Sequence, residues 1–127
     1  MNFDLNENQT MFRDMVRDFA RQEILPIAHE MDVKGEMPDA LVDKLRANGF
    51  FGLSFPEEHG GLGVDTITYA VVVEELAKAC TLSARIAVEA NMGGIAAVMA
   101  YGSETQKRRA AELVLARDKP AICITEP

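Results

Sequence analysis

At 127 residues, 48% hydrophobic and 26% charged, the chain has the size and composition of one globular domain with a core of its own. A net charge of −7 and a pI near 4.8 supply no basic footprint, which argues against nucleic acid and anionic membrane surfaces as partners. The acidic opening Met1-Asn2-Phe3-Asp4 lacks a basic leader, so a cytoplasmic location is expected.

In chain order, Phe12, Met15, Val16 and Phe19 recur at helical spacing, with Arg13, Asp14, Arg17 and Asp18 on the other face. Asn6 and Gln9 form a capping box at the start of this helix. Pro26 should break or kink it near Leu25, with a short continuation through Met31. After Pro38, Leu41, Val42 and Leu45 share one side of a helix that closes at Asn48-Gly49. Phe50, Phe51, Leu53 and Phe55 then suit an extended buried stretch, followed by a tight glycine turn at Gly60, Gly61 and Gly63.

Asp65 is an N-cap for a helix running to Cys80 that is apolar nearly all round and belongs at a domain centre. Its charges Glu74, Glu75 and Lys78 form one narrow strip containing an i,i+4 Glu74/Lys78 pair. A second apolar helix is expected from about Ser83 to Ala100, ending at Gly102. The charge-free run it contains, residues 90–103, is too short to span a bilayer and reads as buried. Ser103 and Gln106 cap a last helix whose Ala110, Leu113 and Val114 face inward. Residues 121–125, Ala-Ile-Cys-Ile-Thr, are the one strand-like run. A single strand cannot satisfy its own backbone, so its partners are expected in chain beyond these residues.

Cys80 and Cys123 have no CxxC spacing and no neighbouring histidine cluster; both read as reduced, buried thiols, and no metal site is expected. The domain organisation expected is a helical domain over residues 1–120 and the start of a β-domain over 121–127.

Phe50 to Gly63, Phe-Phe-Gly-Leu-Ser-Phe-Pro-Glu-Glu-His-Gly-Gly-Leu-Gly, resembles the signature of acyl-CoA dehydrogenases. Further matches follow in family order at Val73-Glu74-Glu75-Leu76-Ala77, at Tyr101 to Lys107, and at Ile124-Thr125-Glu126-Pro127. The resemblance implies an all-α N-terminal domain of orthogonal or up-down type with about five to six helices, leading into the first strand of a β-domain. It implies FAD as cofactor, with Ile122, Ile124 and Thr125 lining the flavin. It implies an acyl-CoA substrate, with Glu89, Asn91, Met92 and Gly93 beside the acyl tail. The carboxylate base that removes the α-proton would lie in a C-terminal domain, so no catalytic residue is expected in these 127 and the chain alone should be inactive. An electron-transfer flavoprotein or similar acceptor and a dimeric or tetrameric homo-oligomer are the implied partners.

Several of these residues have plainer readings. Glu89 could simply pair with Arg85 one turn earlier, and Gly93-Gly94 could serve helix packing instead of a ligand. Glu57-Glu58-His59 reads as a non-catalytic surface loop and Lys107-Arg108-Arg109 as a solvated face. Leu113 to Ile124 is similar to acyl-CoA dehydrogenase-like desulfinases acting on 3-sulfinopropionyl-CoA, which leaves that chemistry open beside dehydrogenation. A non-enzymatic helical binding or dimerisation module is the third reading.

Overall fold

The structure, a computed structural model, describes residues 4–118, and these are helical with no strand among them. In order come α1 (Glu7–Phe19), α2 (Ala28–Lys34), α3 (Asp39–Ala47), α4 (Thr66–Ala79), α5 (Thr81–Asn91), α6 (Gly94–Tyr101) and α7 (Glu104–Leu115). α1 runs into α2 through helical turns, and the described residues are helical throughout their regular structure, as the all-α expectation requires. The expected strand at 121–127 and the boundary at 120 lie outside the described residues. No helix among the described residues is long and apolar enough to cross a membrane.

The chain divides into two compact units. The first contains, of the described residues, 4–43 and 65–85. Its α1 starts on the expected capping box: Gln9 N donates to Asn6 Oδ1 at 2.9 Å and Asn6 N to Gln9 Oε1 at 3.0 Å. Pro26 acts as predicted. It cannot donate a backbone hydrogen bond, and the ladder around it loosens into a π-turn (Ala20–Ile24) and a 3-10 turn (Leu25–Ile27) before α2 resumes. Val16, Ala20, Ile24 and Met31 form the buried stripe of this long run, whereas Met15, expected inside, is 48% exposed.

α1 lies against α4, and here the sequence reading needs correcting. Ile67 and Ala70 face outward, so α4 is not buried all round. Its buried residues are Thr68, Val72, Glu75 and Leu76, the i, i+4, i+7, i+8 spacing of a single inward stripe. Glu75 therefore does not share a solvated strip with Glu74; it is 4% exposed. Arg17 reaches it from α1 with two bonds of 3.0 Å, and Lys78 adds a third at 2.8 Å. Lys78 also makes the expected pair with Glu74, at 2.7 Å. The Arg17 guanidinium holds the Glu75 carboxyl down at about 2; burial opposes this and Lys78 reinforces it.

The second unit contains, of the described residues, 44–64 and 86–118. Leaving α3, the chain turns at Gly49, whose φ of +78° is the left-handed conformation expected of a glycine helix stop. Phe50, Phe51, Leu53 and Phe55 are all buried, as expected, but the segment is wound through turns and bends and is not extended. Its carbonyls are met by the returning glycine loop: Leu62 N donates to Gly52 O, Val64 N to Leu53 O and Gly63 N to Phe55 O, at 2.8–2.9 Å. That closeness dictates Gly61, where a Cβ would stand 2.2 Å from the Phe55 carbonyl oxygen. On α7, Ala111 and Val114 are the buried positions, while Ala110 and Leu113 stand half-exposed in an open groove with Val98 and Tyr101 of α6.

Candidate functional site

The helix expected over residues 83–100 is broken, and the break carries three of the four residues expected near the substrate. α5 ends at Asn91 and α6 begins at Gly94. Between them Gly93 takes φ 68° and ψ −123°, the geometry of the first central residue of a type II′ turn, which a side chain would resist. Glycine is here for the backbone conformation of a helix interruption, a reason the sequence reading, which offered only close packing or a ligand, did not contain.

Asn91 closes α5 from inside. Its side chain is 1% exposed, and both amide protons are used: Nδ2 donates to Phe50 O at 2.7 Å and to Ala87 O at 2.8 Å. Oδ1 accepts from Ser54 N at 3.0 Å, and the Ser54 hydroxyl donates to the Asn91 carbonyl at 3.0 Å. One carboxamide thus fastens both ends of the wound Phe50–Phe55 segment to the end of a helix. A buried amide so fully used positions its neighbours.

Around this clasp the surface differs from residue to residue. Met92 is 46% exposed, offering a flexible, polarizable thioether at the rim of the break. Glu89, half-buried, stands two residues before Asn91 and is engaged by neighbouring groups, as is Arg85. Ile95, the first apolar residue of α6, is buried. The break therefore combines a rigid buried hinge, an adaptable apolar side chain and a carboxylate. Such a set can line and shape an elongated ligand with a polar end. Asn91 belongs to the hinge, and Glu89, Met92 and Gly93 to the rim.

Ile122, Ile124 and Thr125, expected at the flavin, lie outside the described residues, as does Cys123. Cys80 is a free, half-buried thiol. Glu57, Glu58 and His59 form a 3-10 turn in which both glutamates are exposed and the histidine side chain is turned inward.

Comparison with known proteins gives this geometry a context. The family described as acyl-CoA dehydrogenase, N-terminal domain, matches residues 6–117. A 3-sulfinopropanoyl-CoA desulfinase of Paraburkholderia xenovorans (strain LB400) is 46% identical over 125 residues, 98% of this chain and 32% of the relative. A probable acyl-CoA dehydrogenase of Bacillus subtilis (strain 168) is 44% identical over 108 residues, 85% of this chain and 28% of the relative. The solved glutaryl-coenzyme A dehydrogenase in complex with glutaryl-CoA superposes with a TM-score of 0.84 at 33% identity, over 100% of this chain and 33% of that one. The chain thus spans about a third of the length of these proteins.

Proposed function

Because the chain belongs to the acyl-CoA dehydrogenase family, through its N-terminal domain, we propose that it supplies the acyl-side wall of a flavin-dependent enzyme that dehydrogenates an acyl-CoA thioester between its α- and β-carbons. The observation that carries this reading is the match over residues 6–117, which includes the whole α5–α6 break. At the break, Met92 and the Gly93 backbone border the acyl tail, Glu89 faces its polar surroundings, and Asn91 fixes the geometry from behind.

FAD, when bound, accepts the hydride from the β-carbon. Ile122, Ile124 and Thr125 are the residues of this chain assigned to its contact. The proton-abstracting carboxylate belongs to a C-terminal domain, and residues 121–127 to the first strand of a β-domain. An electron-transfer flavoprotein or similar carrier takes the electrons, and the enzyme is a cytoplasmic homo-oligomer, dimeric or tetrameric, acting on a short or medium acyl chain.

One observation favours a second reading within the same family. The desulfinase relative is similar across 98% of the chain, the probable dehydrogenase across 85%. Loss of the sulfinate sulfur from 3-sulfinopropanoyl-CoA is therefore the alternative chemistry. Both are decided on the longer enzyme that contains this domain. Acyl-CoA-dependent reduction of a dye acceptor supports dehydrogenation, release of sulfite from 3-sulfinopropanoyl-CoA supports desulfination, and the lack of both activities in a folded, flavin-loaded protein overturns the proposal.

A further inference from the structure

Away from the α5–α6 break, the second unit holds a group of side chains that neither reading of the enzyme uses. The 3-10 turn Glu57–His59 and the first residue of α7 bring Glu58, His59 and Glu104 together, with one ligand atom from each within 4.8 Å of the others. The two carboxylates reach in from the surface, their side chains 76% and 67% exposed, but the imidazole between them is only 8% exposed. Its Nε2 stands 3.8 Å from Glu58 Oε1 and 3.8 Å from Glu104 Oε2, beyond hydrogen-bonding distance of either. Among the described residues the imidazole side chain makes no hydrogen bond at all. An imidazole side chain nine-tenths buried, without a hydrogen bond and with its Nε2 set between two carboxylates, is an arrangement that invites a cation.

We propose that Glu58, His59 and Glu104 bind one divalent transition-metal ion of the zinc type. An imidazole with two carboxylates is a donor set for zinc more than for calcium or magnesium, which prefer all-oxygen shells with more ligands. Zinc holds nitrogen and oxygen ligands at about 2.0–2.2 Å, which brings neighbouring ligand atoms to roughly 3.3 Å of one another. The His59–carboxylate distances need to close by about half an ångström and the two carboxylates, within 4.8 Å of each other, by up to about 1.5 Å, which exposed glutamate side chains can do by adjusting their rotamers. Lys107 donates to the other carboxylate oxygen of Glu104, Oε1, at 2.9 Å, leaving Oε2 directed at the imidazole. This is the orienting contact a ligating carboxylate ordinarily has behind it. Three protein ligands leave a fourth position for water, and the ion ties the glycine-rich loop to the start of α7.

The site is independent of the acyl-CoA reading, and its test needs no turnover. The 127-residue chain, stripped with a chelator, is titrated with zinc chloride by calorimetry, and with cobalt(II) followed by visible absorption. One zinc per chain is expected, with a cobalt spectrum lacking the thiolate charge-transfer band that cysteine ligation produces. His59→Gln and Glu104→Gln should each weaken zinc binding about tenfold or more, the loss seen on disturbing metal-site shells. His29→Gln and Cys80→Ser should leave it unchanged. Helicity is recorded for each variant; Glu104 is exposed, so its variant stays interpretable if the His59 variant is poorly folded. Absence of zinc binding in the wild type, wild-type affinity in Glu104→Gln, or loss of binding in Cys80→Ser overturns the proposal.

Discussion

Asn91 and Glu75 are the two side chains whose surroundings depart furthest from what their residue types suggest. Replacing Asn91 by Ala removes its hydrogen bonds to the Phe50 and Ala87 carbonyls and from the Ser54 amide. With about 1 kcal/mol net for each of the three bonds, a loss of about 3 kcal/mol is expected in urea unfolding. A change below about 1 kcal/mol would mean the clasp is not holding the segment. Glu75 predicts a pH dependence of definite sign. Its folded pKa lies at about 2, below the 4.5 of a free glutamate, so its ion pairs stabilise the protein fully above pH 4.5. That contribution drains away as pH falls toward 2. Glu75→Gln should cost about 2 kcal/mol at neutral pH, as hydrogen bonds to a charged group do, and the gap between variant and wild type should close over that acid window. A gap that stays constant down to pH 2 would contradict the pairing.

Among the helices, the start signals were the most legible part of the sequence because capping is local. Asn6, Asp65 and Ser103 each cap the helix they precede. Their geometries differ enough to rank. Asp65 accepts from Ile67 N at 2.8 Å, Thr68 N at 3.0 Å and the Thr68 hydroxyl at 2.6 Å. Asn6 accepts one bond of 2.9 Å, and Ser103 one of 3.4 Å. Alanine substitution should therefore cost about 2 kcal/mol at Asp65, about 1 at Asn6 and about 0.5 at Ser103, within the known range for N-caps. Equal losses at all three in chemical denaturation would show that local hydrogen-bond geometry does not set the order. What composition alone hid is tertiary. The wound path of Phe50–Phe55 depends on hydrogen bonds from residues about ten positions later, and the burial of Glu75 depends on Arg17, far away in sequence. The spacing of Thr68, Val72 and Glu75 held the hint, but a preference for putting charge outside outweighed it.

For the whole molecule, the all-α architecture and the family were legible from hydrophobic periodicity together with the Phe50–Gly63 motif, and the family match bears both out. The α5–α6 interruption was not, since the Gly93-Gly94 pair reads equally well as close packing within one helix, and the Gly93 dihedral angles are what reveal the turn. The proposed flavin contact is testable where the domain is part of the longer enzyme. Thr125→Ala should weaken flavin retention or shift the flavin absorbance while the helices keep their circular dichroism. Wild-type retention and spectrum would remove Thr125 from the cofactor site.

The π-turn in the first helical run can also be understood as a vernier. Val16 and Met31 are both buried and fifteen residues apart, an interval that overshoots four regular α-turns by about 60°. The wider turn at Ala20–Ile24, closed by Leu25 N donating to Ala20 O five residues back, takes up that surplus, so α1 and α2 present the same side inward. The chain thus carries one residue more than a regular helix would accommodate, stored where exposed side chains such as Gln22 tolerate it. Deleting Gln22 should restore a regular ladder through the run and leave Met31 on the buried stripe, because fourteen residues at about 100° each fall only about 40° short of four full turns. Hydrogen exchange reads the outcome directly: amides of α1 and α2 both stay protected. Loss of protection confined to α2 would mean that the extra residue is itself needed to set the phase along this run.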